Sequence, residues 1–360
     1  MDRDQKSDRS DKGQMKTDQS APNPGLRALK TRHRFIPNSV MKIDLVTIII
    51  VTWNCKEEIK TCLKSLQEQH DLFPEFETLV VDNASEDGTR EYLRAGDPSF
   101  IEIGLHVMYN SSNVGLSLAT EQAFRIAAGD WILLCNPDIT FNENVVQLFS
   151  YGYSHPDEIV TVEMVNEDGT PPTYVHSFPT VTAVFFGFGL IGSFIDRKLL
   201  EHLMKKPTGH SYEDQSSIVS VDSPGASFLF FKRSIVDKLG RIFDTSLPVW
   251  WNDVDLAKRA QRAGVRRVLI SDLKVKHGLG QGGSNRMPDT TKRRLFCRSM
   301  IIYAQKWKLH PRLLQSLFCA DAILGVPIYA IARSRSGGFA EALRNSISHA
   351  AAQTSGILGS

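Results

Sequence analysis

The 360 residues, 42% of them hydrophobic, suffice to bury a substantial core in one large domain or two. A net charge of +2 conceals an uneven spread: +4 over residues 1–40, +7 over 286–312, and about −10 between 41 and 285. That distribution excludes the even basic face of a nucleic-acid binder and points to local contact with anionic groups such as lipid headgroups or phosphates.

Residues 1–40 are polar, charged and without apolar periodicity, and they read as a disordered tail with no apolar leader segment. The five cysteines, at 55, 62, 135, 297 and 319, form no CxxC pair, which favours a reducing compartment over a zinc site or disulfide framework. Order is expected to begin at "LVTIIIV", a β-branched run that reads as a strand buried on both faces. The helix "EEIKTCLKSLQEQ" follows, then the strand "ETLVVD" and the short helix "GTREYLRA". Next come the strand "LHVMY", the helix "SLATEQAFRIAAG" closed by Gly129, and the strand "WILLCNP". Strand and helix alternating over short connections imply an α/β fold with a doubly wound, mostly parallel sheet, whose ligands bind at the carboxyl ends of the strands.

Beyond about residue 160 the alternation weakens. The apolar stretch 179–200 is too interrupted for a bilayer span. "SPGASFLFFKRSIVDKLG" reads as strand plus helix, "WWNDVDLAKRAQRAG" as a helix and "VRRVLI" as a strand. Residues 313–332 are long enough to cross a membrane, but Asp321 and Pro327 favour an interfacial or buried packing helix.

Polar residues collect where the apolar strands end. Asp82 and Asn83 follow "LVV", where an acid has no packing role; they suit the imide edge of a pyrimidine or, more simply, an Asx-turn. Asn136 and Asp138 end "WILLC", and hard oxygen ligands of this kind suit Mg²⁺ or Mn²⁺, with a plain "NPD" turn as the other reading. At "VWWNDVD", Asp255 suits a helix's first turn, which leaves Asp253 without a structural task. Trp250 and Trp251 beside it offer rings to stack on a sugar, or apolar anchors for a partner, and Arg259 can pair with an acid one turn back. His277 can complete a metal shell. Gly278, Gly280 and Gly283 match GxGxxG, but no strong helix or ribose-binding acid follows, so the glycines are read as a mobile lid. Beyond them Arg293, Arg294 and Arg298 are candidates to grip a diphosphate.

Taken in order, "VTIIIVTWN", "VVDNASEDGT", "NSSNVGLSLATEQAFRIAAGDWILLCNPD", "WWNDVDLAKRAQRAG" and a His 24 residues beyond Asp253 resemble the inverting family-2 glycosyltransferases of GT-A fold, and within them the rhamnosyltransferase-like branch. The resemblance covers roughly residues 44 to 310. It implies a nucleotide-binding half over 41–140 and an acceptor half over 141–310; outside it, residues 311–360 are read from the basic stretch and the apolar run as a C-terminal helical, membrane-associating segment. By that resemblance Thr52, Asp82 and Asn83 hold the nucleotide-sugar, and Asn54 and Asn136, at the same strand ends, are expected to join them. Asp138 and His277 ligate a divalent cation, Mg²⁺ or Mn²⁺. Gly225, Ala226, Trp250, Trp251 and Asn252 border the acceptor, and Asp253 is the catalytic base. Asn252 stands where the branch commonly has Glu.

The implied reaction is metal-assisted single displacement from a nucleotide-diphospho-sugar (dTDP- or UDP-linked, with dTDP-rhamnose a candidate) to a hydroxyl of a glycan or lipid-linked acceptor. Cell-surface polysaccharide synthesis is the expected setting, on the inner face of the plasma membrane, with peripheral membrane contact and no nucleic-acid partner. Two other readings use the same acids: a catalytically degenerate nucleotide-sugar scaffold, and a nucleotidyltransferase, for which the glycine- and basic-rich loop after "VTIIIV" is absent.

Overall fold

The structure, a computed structural model, describes residues 45–166, 175–188, 217–278, 286–337 and 339–359. The expected N-terminal tail, residues 189–200 of the apolar stretch and the glycines at 280 and 283 lie outside the described residues.

The chain's first strand, β1 (Val46–Thr52), leads into α1 (Lys56–Glu68), β2 (Phe76–Asp82), α2 (Thr89–Ala95), α3 (Ser99–Glu102), β3 (Leu105–Tyr109), α4 (Leu116–Ile126) and β4 (Trp131–Cys135). β1 lies centrally, parallel to both β2 and β4, with β3 parallel to β2 at the edge. Its alternate residues serve two cores. Val46, Ile48 and Ile50 pack with Ile59, Cys62, Leu63 and Leu66 of α1, whereas Ile49 joins Ala119 and Ala123 of α4. Each such side chain contributes about 1.5–3 kcal/mol by leaving water, and covering both faces explains why the strand is apolar throughout. The helix expected to close at Gly129 ends at Ile126. Gly129 instead passes against β1, where a Cβ would meet Thr47 N at 2.6 Å, and donates its N–H to Thr47 Oγ1.

The second half departs from simple alternation. Its elements are β5 (Ile139–Thr140), α5 (Asn144–Ser154), β6 (Glu158–Val165), β7 (Val175–His176), α6 (Val181–Phe188), β8 (Ile218–Ser220), β9 (Ser223–Pro224), β10 (Phe228–Lys232), α7 (Arg233–Leu239), α8 (Asn252–Arg262) and β11 (Arg266–His277). The sheet runs β3-β2-β1-β4-β10-β6-β11-β5, with β8 also on β11. β10 is antiparallel to both β4 and β6, while β6 and β11 are parallel. The result is a mixed sheet with helices on both faces, in the GT-A manner. β7 and β9 form a separate two-stranded ladder.

Three helices complete the chain: α9 (Asp289–Trp307), α10 (Pro311–Gly337) and α11 (Phe339–Leu358). They share a third core in which Leu314, Phe318 and Ile357 meet Cys297, Met300 and Ile301 together with Leu247, Trp251 and Val184. Asp321, which argued against a membrane span, is buried and accepts a hydrogen bond from Gln353 Nε2 at 3.0 Å. No helix among the described residues is long and apolar enough to cross a membrane.

Candidate active site

The parallel register places Thr52 beside Asp82, so the ends of β1 and β2 open at one level. Asn54 adopts a left-handed φ of 53°. From there its N–H donates to Ser85 Oγ at 2.8 Å and its Oδ1 accepts from Glu86 N at 2.8 Å, clasping the two loops. Asp82 is fully buried. Its Oδ2 is 2.8 Å from Arg90 Nε, and its Oδ1 accepts from Ser85 N at 3.3 Å. Asn83 Oδ1 accepts from Asn110 Nδ2 and Val114 N, and its Nδ2 donates to Asn113 Oδ1. Both side chains therefore build the loop walls. The Thr52 hydroxyl has no hydrogen-bond partner among the described residues.

At the end of β4, Asn136 donates through Nδ2 to Ser227 Oγ at 3.0 Å and through its backbone to Ser227 O. β5 then pairs with the end of β11, His277 opposite Ile139, and Gly278 N donates to Asp138 O. This pairing sets His277 Nε2 at 3.0 Å from Asp138 Oδ1, both side chains being almost wholly buried. The carboxylate oxygen has no aligned hydrogen bond there despite the short distance. Two atoms suited to ligation thus lie side by side. Neighbouring ligands of an octahedral ion, each about 2.1 Å from the metal, stand about 3.0 Å apart, so the spacing suits a shared cation. Among the described residues no group of three His, Cys, Asp or Glu gathers for a metal. A cation at this pair would draw its remaining ligands from Asn136, water or substrate phosphate, as Mg²⁺ commonly does.

The third cluster begins α8. Trp251 takes a left-handed φ of 68° and turns the chain into the helix. Asn252 is buried, donates through Nδ2 to Ser117 Oγ at 3.1 Å and accepts from Asp253 N through Oδ1. Ser117 N donates to Pro248 O, and the Ser117 hydroxyl donates to Leu247 O. The start of α4 thereby docks on the segment that leads to Asp253. Gly115, at φ 85°, permits this approach, since a Cβ there would come within 2.8 Å of Pro248 O.

The two acids of this turn have separate fates. Asp255 is fully buried: Oδ2 lies 2.9 Å from Arg259 Nε, and Oδ1 lies 2.8 Å from Lys306 Nζ and accepts from Trp307 Nε1 at 2.9 Å. Lys306 also reaches Asp244. Burial would raise the Asp244 carboxyl, but Lys306 and Ser246 outweigh it and hold the group at about 2. Asp253 is half-buried, with Oδ1 accepting from Val254 N at 2.8 Å. The Tyr303 phenol is raised by burial and then by the charges of Asp255 and Asp253.

These stretches meet at one cavity of about 130 Å³, lined by Thr52, Asn83, Asn113, Asn136, Asp138, Val249 and Met287 among others. Asp253 is four residues along the chain from Val249, beyond the turn at Trp251 that starts α8. A family model, Glycosyl transferase family 2, matches residues 47–218, which includes the first two clusters. Over those residues, just under half of its length, the chain is similar to glycosyl transferase family 2.

Among curated relatives, the putative teichuronic acid biosynthesis glycosyltransferase TuaG of Bacillus subtilis (strain 168) is 25% identical over 142 residues, 38% of this chain and 55% of the relative. The uncharacterized glycosyltransferase YfnE of the same organism is 30% identical over 114 residues, 32% of this chain and 28% of the relative. The matches therefore span about half of the first relative's length and less of the second's. Among solved structures, GalNAc-T7 with UDP, GalNAc and Mn²⁺ superposes with a TM-score of 0.51 at 12% identity, over 73% of this chain and 48% of that one, a likeness of fold.

The structure commits other expected residues to packing. Trp251 is 6% exposed, its ring set among Phe188, Phe296 and Tyr303, so it is a core side chain and no platform for a sugar. Trp250 packs at an angle on Phe296 but keeps partial exposure. Gly225 is buried, and Ala226 leans on the second core just before the Ser227 that holds Asn136. Arg293 turns to Gln353 Oε1 on α11, with Nε at 3.0 Å, because α9 directs that face into the helical bundle. Arg294 and Arg298, one turn apart, are exposed. Ser117, Asn113, Ser227 and Arg286 escaped the sequence reading. Ser and Asn in loops carry no signal until their partners are known, whereas Arg286 is marked in the sequence as the first cation after the glycine run.

Proposed function

We propose that this chain is an inverting glycosyltransferase that moves a sugar from a nucleotide-diphospho-sugar to a hydroxyl of a glycan or lipid-linked acceptor. The observation that carries the reading is the meeting of Thr52, Asn83, Asp138 and the segment leading to Asp253 at one cavity. The printed names of the relatives support it, since TuaG is described as a teichuronic acid glycosyltransferase and GalNAc-T7 was solved with UDP and Mn²⁺. UDP- or dTDP-sugars are the donors proposed, with dTDP-rhamnose suggested by the sequence resemblance alone. The catalytic domain would span 41–310, with 311–360 as its helical extension.

In this reaction Asp253 takes the proton of the acceptor hydroxyl. The hydroxyl oxygen bonds to the anomeric carbon as that carbon's bond to the diphosphate oxygen breaks, inverting the centre. No carboxylate nucleophile is invoked, so one displacement suffices. Thr52, Asn83 and Asn113 would contact the nucleoside within walls fixed by Asp82 and Arg90. A divalent cation on Asp138 and His277 would neutralise charge on the departing diphosphate.

Calorimetric titration of UDP and dTDP with and without Mn²⁺ tests the donor site. Asp138→Ala is expected to lose the Mn²⁺-dependent part of affinity, on the order of 10-fold or more. An unchanged titration would remove Asp138 from the site.

Peripheral contact with an anionic membrane on the cytoplasmic face is part of the proposal. Its support is the +7 segment over 286–312 beside exposed Leu313, Ile323 and Leu324 on α10. At low salt the protein should co-sediment with phosphatidylglycerol vesicles and not with neutral ones, and a paired Ile323→Asp, Leu324→Asp variant should bind less. Equal recovery in the supernatant with both vesicle types would end this part of the reading.

A further inference from the structure

Arg286 has an unusual pairing. Its Nη2 lies 2.5 Å from Glu58 Oε1, a residue 228 positions away in the sequence, and its Nη1 lies 3.7 Å from Asp87 Oδ2. Glu58 belongs to the first turn of α1, its side chain is 7% exposed, and its Oε2 has no hydrogen-bond partner among the described residues. A buried carboxylate with an idle oxygen is costly, and the helix dipole offsets only part of that cost. Glu58 lines a second cavity of about 400 Å³ together with Asp138, Thr61 and Lys276. Met287, the next residue after Arg286, lines the first cavity, where Asp138 again forms part of the wall. Arg286 thus links Glu58, in the wall of one cavity, to its own chain neighbour Met287, in the wall of the other, and the Asp138 residue belongs to both walls. Cys55 reports the same proximity: burial pushes its thiol up to about 11, while Glu58, Arg286 and Asp138 all act on it electrostatically.

We propose that Arg286 is the diphosphate-binding cation of the donor site and that Glu58 positions it. The inference rests on the donor reading above. A guanidinium has five N–H donors in a planar fork. Glu58 holds Nη2 and fixes the plane, while Asp87 stands 3.7 Å from Nη1, beyond hydrogen-bond distance, so that a phosphate oxygen next to Asp138 would take the donors that Glu58 does not. The pairing also accounts for an acid so close to an anion's path, because Arg286 neutralises Glu58 before the diphosphate arrives. Arg293, whose fork is committed to Gln353, cannot serve this purpose without releasing α11.

The test compares UDP and UMP affinity, with dTDP and dTMP in parallel, for wild type, Arg286→Ala, Arg286→Lys and Glu58→Gln, each first checked for an unchanged melting temperature. Arg286→Ala should bind UDP about 10- to 100-fold more weakly while UMP affinity stays within about twofold, the size expected for losing charge-assisted hydrogen bonds to one phosphate. Arg286→Lys should recover part of the loss, and Glu58→Gln should shift the UDP-to-UMP ratio in the same direction by about 3- to 10-fold. An unchanged ratio in Arg286→Ala, or equal losses for UDP and UMP, overturns the assignment and leaves the donor reading standing. Failure of the wild type to bind any nucleoside diphosphate overturns the donor reading itself.

Discussion

Asp253→Asn should lower turnover by about 10²–10⁴-fold while leaving nucleotide affinity and melting temperature close to wild type. The amide keeps the shape of the side chain and an oxygen that can still accept from Val254 N, so the first turn of α8 persists. What disappears is the basic oxygen that takes the acceptor's proton. Neighbouring groups cannot substitute for it. Asn252 is committed to Ser117 and to the backbone of Asp253, and Asp255 is fully buried against Arg259, Lys306 and Trp307. Initial rates with a sugar nucleotide and the true acceptor, beside a calorimetric measurement of UDP binding, decide the matter. Wild-type rates in the variant would remove Asp253 from the chemistry, whereas a parallel loss of affinity and stability would make it a structural acid.

Asp255→Ala should do the reverse, lowering folding stability by about 3 kcal/mol. Removing one member of a buried ion pair leaves the other uncompensated, at a typical cost of 3–5 kcal/mol. The lower end applies because Lys306 is about a third exposed and keeps Asp244 as a partner, and Arg259 keeps its bonds to the carbonyls of Arg241 and Ile242. Trp307 loses the acceptor of its indole N–H. Because Arg259 lies on α8 while Lys306 and Trp307 lie on α9, the substitution loosens the joint between the sheet and the C-terminal helices. Urea unfolding followed by circular dichroism measures this directly. A loss below about 0.5 kcal/mol, the range of ordinary surface substitutions, would show that the joint does not depend on Asp255.

The contrast between two acids in one helical turn shows how much of the site was legible in the sequence. Their types and spacing marked the turn, and Asp255 was rightly assigned a structural task, but as a first-turn acid and not as the hub of a buried network. The partner that sequence spacing could supply, Arg259 four residues on, is present; Lys306 and Trp307, some fifty residues distant, were not deducible. Asp138 and His277 were paired through the family resemblance, and the antiparallel pairing of β5 with the end of β11 brings them together. Trp251 fills the third core while Trp250 keeps partial exposure, a difference invisible in the sequence because an aromatic pair reads the same whether it lines a pocket or fills a core. Arg293 misled for a related reason: helix periodicity does not say which face an unknown neighbour will cover.

Local chemistry alone determined the first half of this protein. β-Branched runs make strands, 3.6-residue stripes make helices, short links force parallel neighbours, and polar residues at strand ends mark the ligand side. Those features act within some fifteen residues and need no distant partner. Only the tertiary structure decided that β10 enters the sheet antiparallel, that Glu58 holds Arg286, and that the last helices pack against α8 and α9. Each of these is a contact between segments far apart in the chain. Its free energy depends on which surfaces are left uncovered once the local elements have formed, and no single segment carries that information.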